Sequence, residues 1–235
     1  MIVTVQYRLG SLGFLYLDDE GAPGNVGLLD QQKALSWLRN NIFAFGGDPA
    51  KMTLAGQDAG GVSAAIHALA SPEMDQRLYQ KLILHSAGLQ HPWSFVEPEE
   101  ANRRALKLAR LVGCPSDRSR QDVILCLTRT PVDVILNKEM GVARSGLDFY
   151  PFVPTIDGFF LKEEPSNLLR RLDDRKYPLH VLIGTNADEG SKSLMYFLPQ
   201  LFPNKELPRP ELDLTTFSGA IKKIFGDSGK QVGFN

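Results

Sequence analysis

The chain has 235 residues, of which 43% are hydrophobic and 23% charged, and its formal net charge is -1. This size and apolar content suffice for a sizeable buried core, and the near-neutral charge provides no broad field to attract nucleic acid or an anionic membrane. No apolar run reaches the roughly 20 residues that span a bilayer. The N-terminus lacks the succession of basic, apolar and small residues that is typical of a signal peptide. We therefore expect a globular chain with no nucleic-acid partner.

The first 90 residues predict alternating strands and helices. The apolar, β-branched run 2–7 predicts a buried strand, and because it follows Met1 directly we expect further sequence before it. Glycines then predict a loop as far as Gly27, and an amphipathic pattern predicts a helix from Leu28 that ends at Gly46. The remaining elements predicted in this region are a strand at 52–55, a helix at 59–70 and a strand at 82–85. This alternation favours a parallel or mixed sheet covered by helices.

Beyond residue 90 the pattern favours helices and long loops. Helical periodicity covers 97–112, 121–127 and 132–136, and a loop rich in aromatic and proline residues covers 149–158. A strand at 181–184 returns to the sheet, and a short helix is predicted at 217–225. We interpret residues 1–235 as one partial domain, which is sheet-rich over about 1–90, helical over about 91–175 and sheet-forming again over about 176–190.

Residues 56–60, with the sequence Gly-Gln-Asp-Ala-Gly, lie between a predicted strand and a helix of small residues. A strand, Gly-x-nucleophile-x-Gly and a helix form the nucleophile elbow of α/β-hydrolases. Glycines are expected on both flanks because side chains there would collide in so tight a turn. The central residue is held at the helix N-terminus, where the next amide, that of Ala59, can support an oxyanion. The central residue here is Asp58, so the chain is not a working serine esterase.

The two cysteines, Cys114 and Cys126, are separated by a polar stretch. Their spacing allows a short-loop disulfide, which would indicate an oxidising compartment, and equally allows two unrelated buried thiols.

Several long motifs occur in one order along nearly the whole chain, and together they resemble the type-B carboxylesterase and cholinesterase family. They are Tyr-Arg-Leu-Gly at 7–10, the block at 22–32 from Ala-Pro-Gly-Asn to Asp-Gln-Gln, Phe-Gly-Gly-Asp-Pro at 45–49, and Val-Pro-Thr-Ile-Asp-Gly at 153–158. The resemblance implies an α/β-hydrolase fold, with a mostly parallel central sheet flanked by helices and here truncated at both ends.

The resemblance also implies a Ser-Glu-His triad. Asp58 occupies the serine position, and Glu189, within Asn-Ala-Asp-Glu-Gly, occupies that of the acid. Ser86 resembles a serine that supports the triad. The histidine is expected beyond residue 235 and the glycine-rich oxyanion loop before residue 1. We expect structural roles for the four histidines within the chain, and packing for Ser63.

Three structural expectations come from the same resemblance. It implies that Cys114 pairs with Cys126, and that Arg8 and Asp30 form a buried salt bridge whose rupture would cost several kcal/mol. Trp93 resembles an acyl-pocket tryptophan, although ordinary core packing explains such a residue as well. No metal site and no cofactor are expected.

Three hypotheses for function remain open. The first is a catalytically inactive member of the family that acts outside the cell or at its surface by binding another protein, as neuroligins, neurotactins and glutactin-like proteins do. The second is a carboxylic ester hydrolase whose nucleophile has drifted or been mispredicted, although serine to aspartate requires more than one base change. The third is a hydrolase of the epoxide hydrolase type, in which Asp58 attacks carbon and forms an alkyl-enzyme ester.

Overall fold

The computed structural model describes residues 1–70, 78–91, 93–143, 150–170, 179–190 and 213–225. The chain divides into two compact units. The first comprises Met1–Ala143 and Tyr150–Gly184, and the second comprises Arg144–Phe149 and Thr185–Asn235.

In the described residues, the first unit contains seven α-helices and five strands. In chain order they are α1 (Gly10–Phe14), β1 (Tyr16–Asp19), β2 (Ala22–Pro23), α2 (Val26–Asn41), β3 (Thr53–Gln57), α3 (Ala59–Ala70), β4 (Lys81–His85), α4 (Pro98–Leu111), α5 (Arg120–Arg129), α6 (Val132–Glu139), α7 (Pro165–Arg170) and β5 (His180–Gly184). A 3-10 helix, Ile42–Phe45, follows α2 and ends at Gly46, which has a positive φ of 82°.

The central sheet is parallel and has the order β3-β4-β5. Its register pairs Gln57 with His85 and His85 with Gly184, so the three strands end at one edge. Helix α3 packs against β3 and β4, as expected of a crossover helix between parallel strands. The prediction of a parallel sheet with alternating helices is therefore confirmed for this part of the chain.

The predicted strand at residues 2–7 is wrong. Residues 1–9 have no regular structure, and Ile2 is 94% exposed. A strand needs a neighbour to bond its amide and carbonyl groups, and this segment forms no ladder with any described strand. The predicted glycine-rich loop that follows is also more ordered than expected, since it contains α1 and the antiparallel pair β1 and β2.

The main core lies beneath α3, whose small residues let the helix approach the sheet closely. The nine residues from Gly61 to Leu69 of α3 are buried, and Ile66 is fully so. The same apolar cluster includes Leu28 of α2, Leu82 and Leu84 of β4, and Leu108 of α4. Burying side chains of this size contributes roughly 1.5–3 kcal/mol each, so this cluster anchors the sheet from which the elbow projects.

A second, smaller core joins the β1 strand to α4 and α5. Leu17, Ala105 and Val123 are fully buried there, beside the two cysteines. Helix α5 begins at a cap in which the hydroxyl of Ser119 accepts from the amide of Asp122 at 3.2 Å. Side-chain caps of this kind stabilise helices by roughly 0.5–2 kcal/mol.

In the second unit, the described residues contain the helix α8 (Leu214–Phe225). Its start is fixed by Asp213, whose carboxylate accepts from the amide of Thr216 at 2.7 Å. None of the helices in the described part of the chain is both long and apolar enough to cross a membrane.

Candidate functional site at the elbow

Asp58 is the single residue that connects β3 to α3. Its φ of 51° lies in the left-handed region, which non-glycine residues seldom adopt. Two backbone hydrogen bonds fix this conformation: the amide of Asp58 donates to the carbonyl of His85 at 3.1 Å, and its carbonyl accepts from the amide of Val62 at 2.9 Å. The turn is thus tied to both the neighbouring strand and the first turn of the helix.

The glycines of the elbow differ in how much the turn depends on them. A Cβ added to Gly56 would lie 2.2 Å from the carbonyl oxygen of Gly60, which is backbone and cannot move aside. At Gly60 itself, no described atom lies within 4 Å of an added Cβ, so the expectation that both flanks require glycine is wrong. The second crowded position is Gly61, where the Cβ would lie 2.4 Å from that of Ala87.

The side chain of Asp58 projects from this turn into solvent. The residue is exposed, and its carboxylate makes no hydrogen bond or ion pair with any described residue. Ala59 begins α3 at the position predicted for the oxyanion amide, where the first-turn amides of a helix have no partner within the helix. The exposed carboxylate of Asp58 is therefore carried by the residue directly before these first-turn amides.

Ser86 has the same backbone arrangement at the end of β4 as Asp58 has at the end of β3. It follows β4, has a φ of 49°, and its amide donates to the carbonyl of Gly184 at 2.8 Å. Each of these two residues therefore leaves its strand in the left-handed conformation and bonds to the last residue of the next strand. Ligands of open α/β sheets bind at this carboxyl edge, so the sheet places both residues where a site is expected.

Glu189, the predicted acid, belongs to the second unit. Its side-chain oxygen Oε1 accepts from the amide of Asn186 at 2.7 Å, which closes a tight turn after β5. The residues that follow it, 191–212, lie outside the described part of the chain.

His67 is the one deeply buried histidine among the described residues. It lies on α3, 5% exposed, with Nε2 2.9 Å from Oε1 of Gln31 and its ring edge-on to Phe160. Burial lowers its pKa to about 4, so the ring is neutral at pH 7. Such a ring is held for packing, which agrees with the structural role expected of it. Ser63 is likewise buried, and its hydroxyl donates to the carbonyl of Ala59 at 3.0 Å.

Trp93 lies between two other rings. It stacks on His91 with centroids 5.2 Å apart and meets Tyr150 edge-on at 5.6 Å. Buried Arg104 fixes the backbone on the Tyr150 side by donating to the carbonyls of Tyr150 and Pro151 at 3.0 and 3.2 Å. Trp93 also packs against the main core, so packing accounts for it, and its role in an acyl pocket remains a prediction.

Arg8 and Asp30 form a bidentate ion pair, with both nitrogen–oxygen distances at 2.7 Å. Their hydrogen bond lowers the pKa of Asp30 and raises that of Arg8. The expectation that the pair is buried is wrong, because the side chains are 54% and 26% exposed. Water therefore screens the attraction between the two charges.

Cys114 and Cys126 are joined by a disulfide with an S–S distance of 2.00 Å and a Cα–Cα distance of 5.8 Å. The bridge links the segment after α4 to the middle of α5. No group of three or more metal-ligating side chains occurs among the residues that the structure describes.

The comparisons with known proteins agree with the motifs. A model described as the Carboxylesterase family matches residues 1–227. The chain is 42% identical over 200 residues to a protein named acetylcholinesterase from Myxine glutinosa, and this alignment covers 85% of this chain and 58% of that protein. It is 40% identical over 226 residues to cholinesterase 1 of Branchiostoma lanceolatum, an alignment that covers 94% of this chain and 61% of that protein. It is 38% identical over 199 residues to cholinesterase 2 of the same organism, and this alignment covers 85% of this chain and 57% of that protein. The chain thus spans 57% to 61% of the length of these curated relatives.

Proposed function

The chain belongs to the carboxylesterase family, whose fold is that of the α/β-hydrolases, and from this premise we propose that the protein does not hydrolyse esters and acts by binding another protein. The observation that carries the proposal is Asp58. It lies at the nucleophile position of an elbow whose backbone hydrogen bonds and crowded glycines are intact.

A carboxylate at this position opposes ester hydrolysis for two reasons. Attack by Asp58 on an ester carbonyl would give a mixed anhydride in place of a stable acyl-enzyme. Its negative charge would also lie next to the oxyanion that develops on the substrate, where stabilising donors normally supply the largest single contribution to catalysis. The intact backbone of the elbow, together with Asp58, therefore supports a protein that keeps the hydrolase scaffold and has lost ester hydrolysis.

The test compares the purified protein with the variants Asp58→Ala and Asp58→Ser in the hydrolysis of p-nitrophenyl acetate. We expect the parent and Asp58→Ala to match the rate of a buffer blank. Asp58→Ser is expected to gain hydrolysis only in a protein that also supplies the histidine and the oxyanion loop. Turnover by the parent that disappears in Asp58→Ala would refute the proposal.

The binding role is proposed to be extracellular or at the cell surface. The disulfide supports this part, because such bonds persist in oxidising compartments. Expression of the full coding sequence in cultured cells tests it. Protein recovered from the medium or labelled at the surface of intact cells is the expected result, and protein found only in the cytosol would contradict it.

A hydrolase with Asp58 as nucleophile is the second candidate, because the carboxylate is exposed and makes no contact with the described residues. Attack on an epoxide carbon would open the ring and leave an alkyl ester on Asp58, which water must then hydrolyse with the help of a base. Incubation with styrene oxide followed by peptide mass spectrometry decides between the candidates. An adduct on Asp58 would favour this second function, and an unmodified Asp58 is expected under the first.

A further inference from the structure

A groove of about 530 Å³ lies beside the disulfide, far along the chain from the elbow and entirely within the first unit. Helix α5 and the start of α6 form its walls. Its apolar lining comes from Val112, Leu125, Pro131 and Val134, and Leu125 is 49% exposed.

Two arginines, Arg118 and Arg129, line the same groove. Both are exposed, and neither makes a hydrogen bond or ion pair within the described part of the chain. Three other arginines of this unit do form ion pairs: Arg8 with Asp30, Arg104 with Glu100, and Arg120 with Asp18. The groove therefore presents guanidinium groups that the fold itself does not use.

The one acidic residue that lines the groove, Asp122, is already engaged. Its carboxylate accepts from the hydroxyl of Ser119 at 2.8 Å, and its amide donates back to the same hydroxyl, so the side chain belongs to the cap of α5. Two arginines against one capping aspartate leave the lining net positive. An occupant that supplies carboxylates would thus find bidentate partners, for which the planar guanidinium is well suited.

The disulfide makes the groove a fixed surface. Cys126 lines it directly, and the bond to Cys114 holds α5 against the end of α4. A pre-ordered surface loses little conformational entropy on binding, which favours the docking of a short segment.

We infer that this groove docks a short segment of a partner protein that carries both acidic and apolar side chains. The apolar side chains would pack on Leu125 and Val134, and the carboxylates would bind Arg118 and Arg129. This inference rests on the proposed binding function and assigns that function a surface and a class of partner.

The probe is a fluorescein-labelled peptide of sequence Gly-Glu-Leu-Glu-Phe-Gly, titrated with the purified protein and followed by anisotropy. Two control peptides replace both glutamates by glutamine or both apolar residues by serine. The double variant Arg118→Glu/Arg129→Glu removes the proposed contacts, and Arg170→Glu reverses an exposed charge on α7, which does not line the groove.

We expect saturable binding of the acidic-apolar peptide that weakens at least tenfold in the double variant and by less than twofold in Arg170→Glu. Both control peptides should also bind at least tenfold more weakly. Absence of saturable binding to the parent, equal binding by the double variant, or tighter binding of a sulfated heparin tetrasaccharide at the same arginines would overturn the inference. A concentration-dependent dimer abolished by the double variant would do so as well, by identifying a second copy as the occupant.

These results are independent of the esterase assay. A protein that lacks hydrolysis but does not bind the peptide would refute the groove and leave the proposed function in place. A protein that hydrolyses esters through Asp58 would refute the proposed function whatever the peptide does.

Discussion

The elbow at residues 56–60 and the layer of β1, α4 and α5 that contains the disulfide are stabilised in different ways. At the elbow, the geometry depends on glycine, because the backbone of β3 approaches that of α3 closely at Gly56. Backbone hydrogen bonds to His85 and Val62 then fix the conformation of Asp58. In the layer formed by β1, α4 and α5, the geometry depends on buried side chains and one covalent bond. The turn is therefore specified by the residues around position 58, and we expect exchange of the exposed side chain at this position to leave the fold intact.

Substitution of Gly56 by alanine provides the strongest test of this difference. The new Cβ would lie 2.2 Å from the carbonyl oxygen of Gly60, so β3 and α3 must separate. We expect the free energy of unfolding to fall by more than about 4 kcal/mol, which places the change among the largest single-residue effects. Urea denaturation followed by circular dichroism measures it, with soluble yield as a second readout.

Gly60→Ala is the matched control for that variant. Nothing described lies within 4 Å of the added Cβ, and residue 60 is helical, so we expect a gain of roughly 0.5–1 kcal/mol. Equal losses in the two variants would contradict the assignment of crowding to Gly56 alone.

Loss of the disulfide should have the next largest effect. The bond closes a loop with a sequence separation of 12, for which the chain-entropy estimate is about 3 kcal/mol. The double variant Cys114→Ala/Cys126→Ala should lose about this much stability and, because the bond preorganises the groove, should also bind the acidic-apolar peptide more weakly. The elbow should be unaffected, and treatment of the double variant with a reductant should change nothing further.

His67 extends the comparison to pH, because it lies on the elbow helix but is buried like a core residue. Its pKa in the folded state, about 4, is below the value of 6.5 for an unperturbed histidine. The unfolded chain therefore binds a proton first as the pH falls, so this contribution to stability is full above pH 6.5 and is lost progressively down to about pH 4. From these two pKa values, proton linkage predicts that the free energy of unfolding falls by about 2 kcal/mol between pH 7 and pH 5.

The variant His67→Gln should remove most of that pH dependence, and His91→Gln, at an exposed ring, should leave it intact. The measurement is the urea midpoint as a function of pH. A parent protein with equal stability at pH 7 and pH 5 would contradict the assignment.

The sequence predicts some of these features far better than others. The sequence predicts helix α3 with the bounds it has, because the run of mostly small and apolar residues from Ala59 to Ala70 contains no proline. The apolar pattern at 2–7 predicts a strand that the structure does not contain, since a strand requires a pairing partner that local sequence cannot specify. Spacing allowed the Cys114–Cys126 bond without requiring it. The groove at Arg118 and Arg129 left no motif, because it depends on which charges the folded chain leaves unpaired.

The ion pair between Arg8 and Asp30 should contribute least, although it is bidentate with both nitrogen–oxygen distances at 2.7 Å. Both side chains remain partly exposed, so the lowered pKa of Asp30 must be discounted for screening, and we expect Arg8→Gln to cost only about 0.2–1 kcal/mol. The sign is fixed by the pKa: because the carboxyl titrates lower in the folded state, its contribution is present above the pKa of about 3.9 of a free aspartate and is lost as the pH falls further. Urea midpoints of Arg8→Gln and the parent in 50 mM and 1 M NaCl measure it, and the small difference between them should shrink in high salt. A loss of several kcal/mol that persists in 1 M NaCl would show that the pair is buried in the whole protein, and would place it with Gly56 among the contacts on which the fold depends.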